Sequence, residues 1–421
     1  MAAREYDDVL VADHGPFPCY STAHMMPAKA AIRRLSFLGH LARAGLTTLL
    51  LLAWVLPSAG QEANESRYIS SLNSALDNLI AKLSTLSQQP VMFSANLLLA
   101  HGVGVKGVPT KVLLEYIDAL KAAGAQKIEF NPGVTSVDNP EVMGKYDAVV
   151  KHIRELGLRV EINLVYARVG ARNADMQVQR FQDYAAPAVK ACAQFAARYH
   201  PDYLVPVHEP VTMDARMGIR AGPNAWAAYL DAAIRAIKRA SPNTLVGAGG
   251  WYGELPYYQA FAAMPNLDFL IMDIYDLTHL NIYDQMAQIA HAANKPVSIE
   301  ETWRPAFTGP LPPNAIGTGL ETLTIKGAGN ADFEDLDAKW MKALVLYAST
   351  HGVEAVTPMY SQTFFAYVTS GPDRPSDREY NEKIVQALAQ GQRTKIFEEY
   401  RSLQQKFGRP SAGPPSSPRN P

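Results

Sequence analysis

The chain contains 421 residues with a formal net charge of -1, and 48% of them are hydrophobic. This balanced charge offers no electrostatic attraction for nucleic acid or for an anionic membrane, so the composition excludes both as expected partners. The length and the apolar content are sufficient for one large folded domain, such as a barrel of about 250 residues with additional segments.

The N-terminal region carries a strong apolar run from Ala44 to Leu56. This run is shorter than the roughly 20 residues that span a bilayer. Arginines precede it and the small residues of Pro57–Gly60 follow it, which is typical of a secretory signal peptide cleaved near Gly60. We therefore assign residues 1–60 to a leader and signal peptide. The alternative interpretation is an uncleaved membrane anchor.

A cleaved signal peptide predicts a secreted or periplasmic protein with no stable membrane contact. The region before the apolar run is unusually long for a signal peptide, so a translation start at Met25 or Met26 is an alternative. Cys19 would be removed with the signal, which leaves Cys192 as the single thiol. The exported protein is therefore expected to contain no internal disulfide and no cysteine-based metal site.

Beyond residue 60, strand-like apolar runs alternate with amphipathic helical stretches. A helix is predicted over Tyr68–Leu86, within an N-terminal extension of residues 61–90 that packs across one end of the main domain. The predicted strands are Val91–Leu99, Lys127–Asn131, Arg159–Tyr166, Asp202–Glu209, Thr244–Ala248, Asp268–Tyr275, Lys295–Trp303 and Glu354–Tyr360. The helical regions after them are Thr110–Ala123, Val142–Leu156, Met176–Tyr199, Asn224–Ala240, Pro256–Ala263, Tyr283–Ala293, Leu336–Thr350 and Glu382–Phe407.

Eight strand-helix pairs with short links predict parallel strands joined by helical crossovers. Eight is the number of strands that closes a TIM barrel, so we expect one α/β domain, a single (β/α)8 TIM barrel over residues 91–407 with an N-terminal extra helix. The longest loop, Arg304–Asp335, follows the seventh strand and is predicted to overhang the site. Residues 408–421 are rich in Pro and Ser and are predicted to be disordered.

Two predicted strands end in glutamates, at Glu209 and at Glu300-Glu301. The carboxyl ends of the strands form the active face of such barrels, so closure would bring the two strand ends together. A pair of carboxyl groups, one protonated and one ionised, is what glycoside hydrolysis requires. Burial and like-charge repulsion raise one of the two pKa values, which makes both states available together. We assign Glu209 as acid/base, and the alternative is a helix-capping or ion-paired surface glutamate.

The partner of Glu209 is either Glu300 or Glu301. Side chains alternate along a strand, and Glu301 shares its phase with Val297 and Ile299. Glu209 shares its phase with the last two valines of the fourth strand, so the two strands would present Glu209 and Glu301 in the same way. We therefore predict Glu301 as the nucleophile and expect Glu300 to pair with a nearby arginine.

Three short motifs carry a resemblance to a known family: Val207-His-Glu-Pro210, Lys295-Pro-Val-Ser-Ile-Glu-Glu-Thr302 and Ile271-Met-Asp-Ile-Tyr275. Together they resemble clan A of the retaining (β/α)8 glycoside hydrolases, over roughly residues 91–390. The resemblance implies an acid/base glutamate after the fourth strand and a nucleophile after the seventh, where the alignment favours Glu301. It also implies retention of anomeric configuration, with the two carboxyl groups about 5–5.5 Å apart.

The sequence departs from the clan pattern at two places. Most members place Asn before the acid/base, whereas His208 stands there, as in the mannanase-like branch. No tryptophan ends the eighth strand, where Tyr360 and Phe364 occur instead. These departures leave the family and the sugar open, and the expected substrate is a β-linked oligo- or polysaccharide.

Several polar and aromatic residues near the predicted strand ends are candidates for substrate binding. His208 would hold the substrate 2-hydroxyl or orient Glu209, and the alternative is a structural histidine. Tyr275 would donate its hydroxyl to the nucleophile, and the alternative is simple packing. Aromatic faces stack on the C–H faces of sugars while polar tips bind hydroxyls. The further candidates are His101, Asn131, Tyr166, Arg168, Trp251, Tyr252, Trp303 and Tyr360.

Two other functions fit the same strand ends. One is a metal-dependent barrel hydrolase with His101, His208 and Asp273 as ligands, although such sites usually need closer clustering of histidines. The other is a barrel that binds glycans without cleaving them, against which the presence of both glutamates and Tyr275 argues. The glycosidase interpretation requires no cofactor and no metal, and its partner is a carbohydrate.

Overall fold

The alternating apolar runs form one closed barrel, in which eight parallel strands follow chain order and β8 pairs with β1. The computed structural model describes residues 69–97, 99, 102–164, 176, 178–304, 330–367 and 377–410. The strands are β1 (Met92–Asn96), β2 (Lys127–Phe130), β3 (Arg159–Asn163), β4 (Tyr203–His208), β5 (Leu245–Gly250), β6 (Phe269–Ile274), β7 (Val297–Thr302) and β8 (Ala355–Pro358). The predicted α/β barrel fold is confirmed.

Helices surround the strands because parallel strands are buried on both faces and need an apolar cover. The helices are α1 (69–84), α2 (Thr110–Ala123), α3 (Pro140–Glu155), α4 (Phe181–Tyr199), α5 (Pro210–Met217), α6 (Gly222–Ala240), α7 (Leu255–Ala262), α8 (Leu280–Ala292), α9 (Asn330–Thr350), α10 (Asp377–Ala389) and α11 (Lys395–Phe407). In α1, Leu76 and Leu83 belong to the same buried apolar cluster as the outer face of the strands.

Apart from shifted helix starts, the helices differ from the prediction in the following respects. Helix α5 was not predicted, although Pro210 at its first turn has a backbone angle suited to a helix start. It ends at Gly218, which adopts the left-handed conformation with φ 67°. The region predicted as the last helical segment is two helices, and Gly391, with φ 65°, lies between them.

The barrel interior changes from apolar to charged along the strand direction. Near the amino ends of the strands, a buried apolar cluster fills the barrel, formed by Met92, Tyr203, Val205, Phe269, Ile271 and Ala355. Gly247 makes room for this filling, because a Cβ there would lie 2.3 Å from the Phe269 ring. Lys127, whose Nζ lies over the Tyr203 ring of this cluster, is also buried, as are Glu161 and Glu300. The site at the carboxyl ends of the strands therefore rests on a layer of buried charges.

The predicted phase of the fourth strand is wrong at Val205. Val205 belongs to the inner apolar cluster, whereas Val207 belongs to the outer cluster under the helices. A register shift between Leu204 and Val207 on β4 causes this change of face. A second irregularity lies on β7, where an extra residue after Ile299 lets Asp273 of β6 pair with Glu301, and the pairing of β7 with β8 shifts over the same segment. These irregularities, rather than strict alternation, bring the glutamates to the mouth of the barrel.

Several predicted segments lie wholly or partly outside the residues that the structure describes. Residues 1–60, which we assigned to the leader and signal peptide, lie outside the described residues, as do residues 305–329 of the predicted overhanging loop and residues 411–421 of the tail. Helix α9 begins at Asn330, before the predicted start at Leu336. Along the described part of the chain, no helix combines the length and the apolar character needed to cross a bilayer.

Candidate active site

Glu209 links the end of β4 to the start of α5 in a left-handed backbone conformation, with φ 52° and ψ 65°. Its backbone N–H donates to the carbonyl oxygen of Gly249 at 3.0 Å, and its carbonyl oxygen accepts from the N–H of Met213 at 2.9 Å. A non-glycine residue in this region costs about 1–3 kcal/mol, and such residues cluster at functional sites. The strained turn directs Glu209 to the carboxyl end of the barrel.

The surroundings of Glu209 favour its protonated form. Burial is the largest cause, and with the charges of Asp273 and Glu301 it raises the pKa of Glu209 to about 8. His208 and a hydrogen bond with Thr212 act in the opposite direction without reversing the shift. At neutral pH the carboxyl group of Glu209 therefore carries a proton that it can donate.

Glu301 lies at the end of β7 with its carboxylate held from two sides. The hydroxyl of Tyr275 donates to Oε2 of Glu301 at 2.5 Å, so the predicted hydrogen bond is present. Nε2 of His208 lies 3.9 Å from Oε1 of Glu301. Burial raises the pKa of Glu301, while the His208 charge and the Tyr275 hydroxyl favour its ionised form. The Tyr275 hydroxyl therefore binds only Oε2 of Glu301 and leaves Oε1 available to other groups.

His208 is engaged by protein groups on both ring nitrogens. Its Nε2 lies 2.8 Å from Oδ2 of Asp273, and its Nδ1 lies 2.6 Å from Nδ2 of Asn163. Burial lowers the pKa of His208, but the charges of Asp273 and Glu301 outweigh burial and raise it well above its usual value. The His208 residue is 2% exposed. These contacts favour a histidine that orients the carboxylates over one that holds the substrate 2-hydroxyl.

Glu300 faces the buried charged layer instead of the mouth. Nζ of Lys127 lies 3.2 Å from each carboxylate oxygen of Glu300, and Oγ1 of Thr357 donates to Oε2 at 3.2 Å. Lys127 also forms a salt bridge with Glu161. The prediction that Glu300 pairs with an arginine is therefore wrong, since Glu300 pairs with Lys127 of β2.

Asn131, a predicted substrate-binding residue, is completely buried. Its side-chain amide donates to Oε1 of Glu129 at 3.1 Å, and its Oδ1 accepts from Asn96 at 3.1 Å. Burial, together with the charges of Glu161 and Glu300, raises the pKa of Glu129 well above its usual value. In this structure Asn131 holds a buried carboxyl group beneath the mouth.

The predicted aromatic residues divide into buried and partly exposed ones. Trp303 is 1% exposed and packs edge-on against Tyr360, with ring centroids 5.8 Å apart. Trp251, Tyr252 and Tyr360 are partly exposed. The Trp251 and Tyr252 rings meet edge-on at 4.9 Å, and Tyr252 stacks on His279 at 4.0 Å. The other three candidates lie outside the described residues, namely His101, Tyr166 and Arg168.

Asn163, Asp273 and Glu254 contribute contacts that the sequence did not assign. Asp273 was considered only as a metal ligand, and in the structure it pairs directly with His208. Within the described ranges, no group of three or more His, Cys, Asp or Glu side chains is arranged to hold a metal ion. Oε1 of Glu254 accepts from the backbone N–H of Val211 at 2.6 Å. An isolated glutamate shortly after a strand gives no sequence signal for such a long-range contact.

Neither a protein-family model nor a curated protein matches the sequence. Among solved structures, the barrel is similar to an exo-β-1,4-mannosidase from Opitutaceae bacterium strain TAV5, with a TM-score of 0.52 and 12% sequence identity. This match covers 75% of the present chain and 59% of the mannosidase. The present chain thus spans only about 59% of the mannosidase's length.

Two further structures show lower similarity. The match to a GH5_18 protein from Streptomyces cattleya, in complex with GlcNAc, has a TM-score of 0.48 and 11% identity and covers 76% of this chain and 81% of that one. The match to a glycoside hydrolase family 5 mannosidase from Rhizomucor miehei has a TM-score of 0.46 and 13% identity. It covers 76% of this chain and 95% of the mannosidase. The predicted resemblance to clan A is confirmed as a likeness of fold, since the chain forms a closed eight-stranded parallel barrel and its structure is similar to that of the bacterial mannosidase.

Proposed function

We propose that the protein is a retaining glycoside hydrolase in which Glu209 is the acid/base and Glu301 is the nucleophile. One observation carries this proposal. The carboxylate of Glu301 is held by Tyr275 and His208, while the pKa of Glu209 is raised to about 8 at a second strand end of the same barrel. One ionised and one protonated carboxyl group are the two reagents that double displacement requires.

In the first step, Glu209 donates its proton to the glycosidic oxygen as the bond from that oxygen to the anomeric carbon breaks. The leaving group departs as an alcohol, and Glu301 forms an ester bond to the anomeric carbon. Because Oε2 of Glu301 accepts the Tyr275 hydroxyl, we assign the attack to Oε1. Tyr275 then stabilises the carbonyl end of the ester.

In the second step, the ionised Glu209 removes a proton from water while the water oxygen attacks the anomeric carbon. The ester bond breaks, and Glu301 leaves as a carboxylate. The change of role by Glu209 has a physical cause in this site. The charge of Glu301 is one of the contributions that raise the pKa of Glu209. Ester formation removes that charge, so the pKa of Glu209 falls at the stage where it must act as a base.

The substrate class that we propose is a β-linked oligo- or polysaccharide outside the cell. Trp251 and Tyr252 are partly exposed near the end of β5 and offer faces on which sugar rings stack. The extracellular location rests on the signal peptide predicted over residues 1–60.

A screen of chromogenic β-glycosides and polysaccharides, followed by proton NMR of the first sugar product, tests the proposal. We expect turnover and a first product with the β configuration, before mutarotation mixes the anomers. A first product of inverted configuration would exclude Glu301 as nucleophile. Binding of glycans without any turnover would instead identify a non-catalytic carbohydrate-binding barrel.

A further inference from the structure

We propose that Glu254 is a positioning residue that caps helix α5 and thereby leaves the carboxyl group of Glu209 free for proton transfer. This inference rests on the proposed function of Glu209. Glu254 follows β5, in the short 3-10 helix Tyr252–Glu254, and reaches α5 after β4 through one hydrogen bond.

The need for a cap follows from the position of Glu209. The N–H groups in the first turn of a helix lack partners within the helix, and the residue just before the helix commonly supplies one from its own side chain. Glu209 occupies that position before α5, yet its side chain makes no capping hydrogen bond. Oε1 of Glu254 accepts from Val211 N at 2.6 Å instead. Glu254, and not Glu209, thus accepts the hydrogen bond from the first turn of α5.

The two glutamates approach each other closely around Gly250. A Cβ atom at Gly250 would lie 1.8 Å from Oε2 of Glu254 and 3.0 Å from Cα of Glu209. Glu254 is 1% exposed, and its Oε2 has no hydrogen-bond partner among the described residues. Any side chain at position 250 would therefore displace Glu254 or the turn that carries Glu209.

The contacts of Glu254 fit a helix cap, since its Oε1 accepts from the N–H of Val211. Burial raises the pKa of Glu254 well above its usual value, and the charge of Glu209 acts in the same direction. Burial therefore favours the neutral form, and the capping contact needs only an acceptor oxygen, which an amide can reproduce. Glu254→Gln keeps that acceptor, whereas Glu254→Ala removes it.

The test compares Glu254→Ala with Glu254→Gln in the full chain. Hydrogen exchange measured by mass spectrometry follows the peptide that contains Val211. Initial rates are measured on an unactivated β-linked oligosaccharide and on a dinitrophenyl glycoside, whose leaving group needs little protonation. Asp268→Ala is the matched control. Asp268 Oδ2 accepts from Val246 N at 2.7 Å near the amino end of β5, away from the mouth of the barrel.

For Glu254→Ala, we expect exchange around Val211 to accelerate about tenfold or more, because the capped N–H becomes free. Its kcat/KM on the oligosaccharide should fall by about 10- to 100-fold, less than the roughly 100- to 10,000-fold that general acid catalysis contributes in full, because Glu209 remains present. On the dinitrophenyl glycoside the loss should stay within about threefold. Glu254→Gln should remain within about threefold of the wild-type protein in all three measurements. Asp268→Ala should lose stability without the selective loss on the oligosaccharide.

Glu254→Met provides a second route to the same change if Glu254→Ala does not fold, since methionine fills the buried space and offers no oxygen to accept from Val211. Unchanged exchange at Val211 in Glu254→Ala would overturn the inference. A Glu254→Gln variant as impaired as Glu254→Ala would also overturn it, since the proton of Glu254 would then be needed. If the wild-type protein cleaves no glycoside, the proposed function fails, while the exchange comparison still decides the capping role.

Discussion

The hydroxyl of Tyr275 donates a hydrogen bond of 2.5 Å to Oε2 of Glu301, joining the segment after β6 to the end of β7 at the mouth of the barrel. A hydrogen bond to a carboxylate favours its ionised form. Tyr275 thereby counteracts burial, which is the largest cause raising the pKa of Glu301. The pair gives the proposed nucleophile both its orientation and its charge.

Tyr275→Phe should therefore raise the pKa of Glu301 and move the acidic limb of the kcat/KM profile to higher pH. We expect kcat/KM at neutral pH to fall by about 10- to 100-fold, since a hydrogen bond to a charged group contributes about 1.5–3 kcal/mol. The matched control is Tyr258→Phe. The Tyr258 hydroxyl is buried and has no hydrogen-bond partner in the described part of the chain, so its removal should leave the profile unchanged. An unshifted acidic limb in Tyr275→Phe would contradict the role given to this tyrosine.

The two adjacent glutamates should respond differently to substitution. Glu301→Ala should abolish turnover, because no ester intermediate can form. Azide should restore reaction with an activated glycoside and give the glycosyl azide of inverted configuration. Glu300→Ala should retain substantial activity and lose about 1–3 kcal/mol of stability, since Lys127 keeps its other partner, Glu161. A dead, azide-rescued Glu300→Ala variant beside an active Glu301→Ala variant would reverse the assignment.

The raised pKa of Glu209 should make its contribution to stability depend on pH. Burial raises this pKa to about 8 in the folded protein, compared with about 4.3 for an exposed glutamate. Between these values the folded protein holds a proton that the unfolded chain releases, so stability falls as pH rises through this interval. Glu209→Gln removes that effect. Urea unfolding should show the variant gaining on the order of 2–4 kcal/mol relative to wild type between pH 5 and pH 9. A difference independent of pH would contradict the burial argument.

The buried lysine of β2 should be important for stability. Burial lowers the pKa of Lys127, but the charges of Glu161 and Glu300 outweigh burial and raise it, so the lysine is charged. Lys127→Met would leave two buried carboxyl groups without their cation and should cost about 3–5 kcal/mol in the free energy of unfolding. Lys238→Met is the control, because the Lys238–Asp268 pair is partly exposed and should contribute about 0–1 kcal/mol. Equal losses of stability in the two variants would contradict the stabilising role given to Lys127.

The sequence predicted the barrel because its signal is local and repeated. Strand β7 was expected over Lys295–Trp303 and is observed over Val297–Thr302, and helix α2 was predicted at its observed bounds. Alternating apolar runs and amphipathic stretches determine parallel strands and crossover helices before any tertiary contact is known. Strand ends are less well defined, because pairing with neighbouring strands sets them.

The interior contacts required information that a single sequence lacks. Lys127 meets Glu300 because β2 and β7 lie across the same barrel, and their heights depend on every register between them. The irregularity on β4 contains Pro206, which lacks the N–H of a regular strand and marks a bulge, whereas the one on β7 has no such residue signature. The contact of Glu254 with Val211 likewise depends on the meeting of two loops. The sequence therefore predicts which residues lie at the strand ends, but it does not predict which side chains they contact.

Trapping the covalent intermediate tests the central claim most directly. A 2-deoxy-2-fluoro β-glycoside with a dinitrophenyl leaving group destabilises both transition states but lets the ester form and accumulate. Mass spectrometry of the digested protein should then locate one fluorosugar on Glu301, and Glu301→Ala should remain unlabelled. Label on Glu300, or an active enzyme that releases an inverted product and never carries the sugar, would contradict the proposed mechanism.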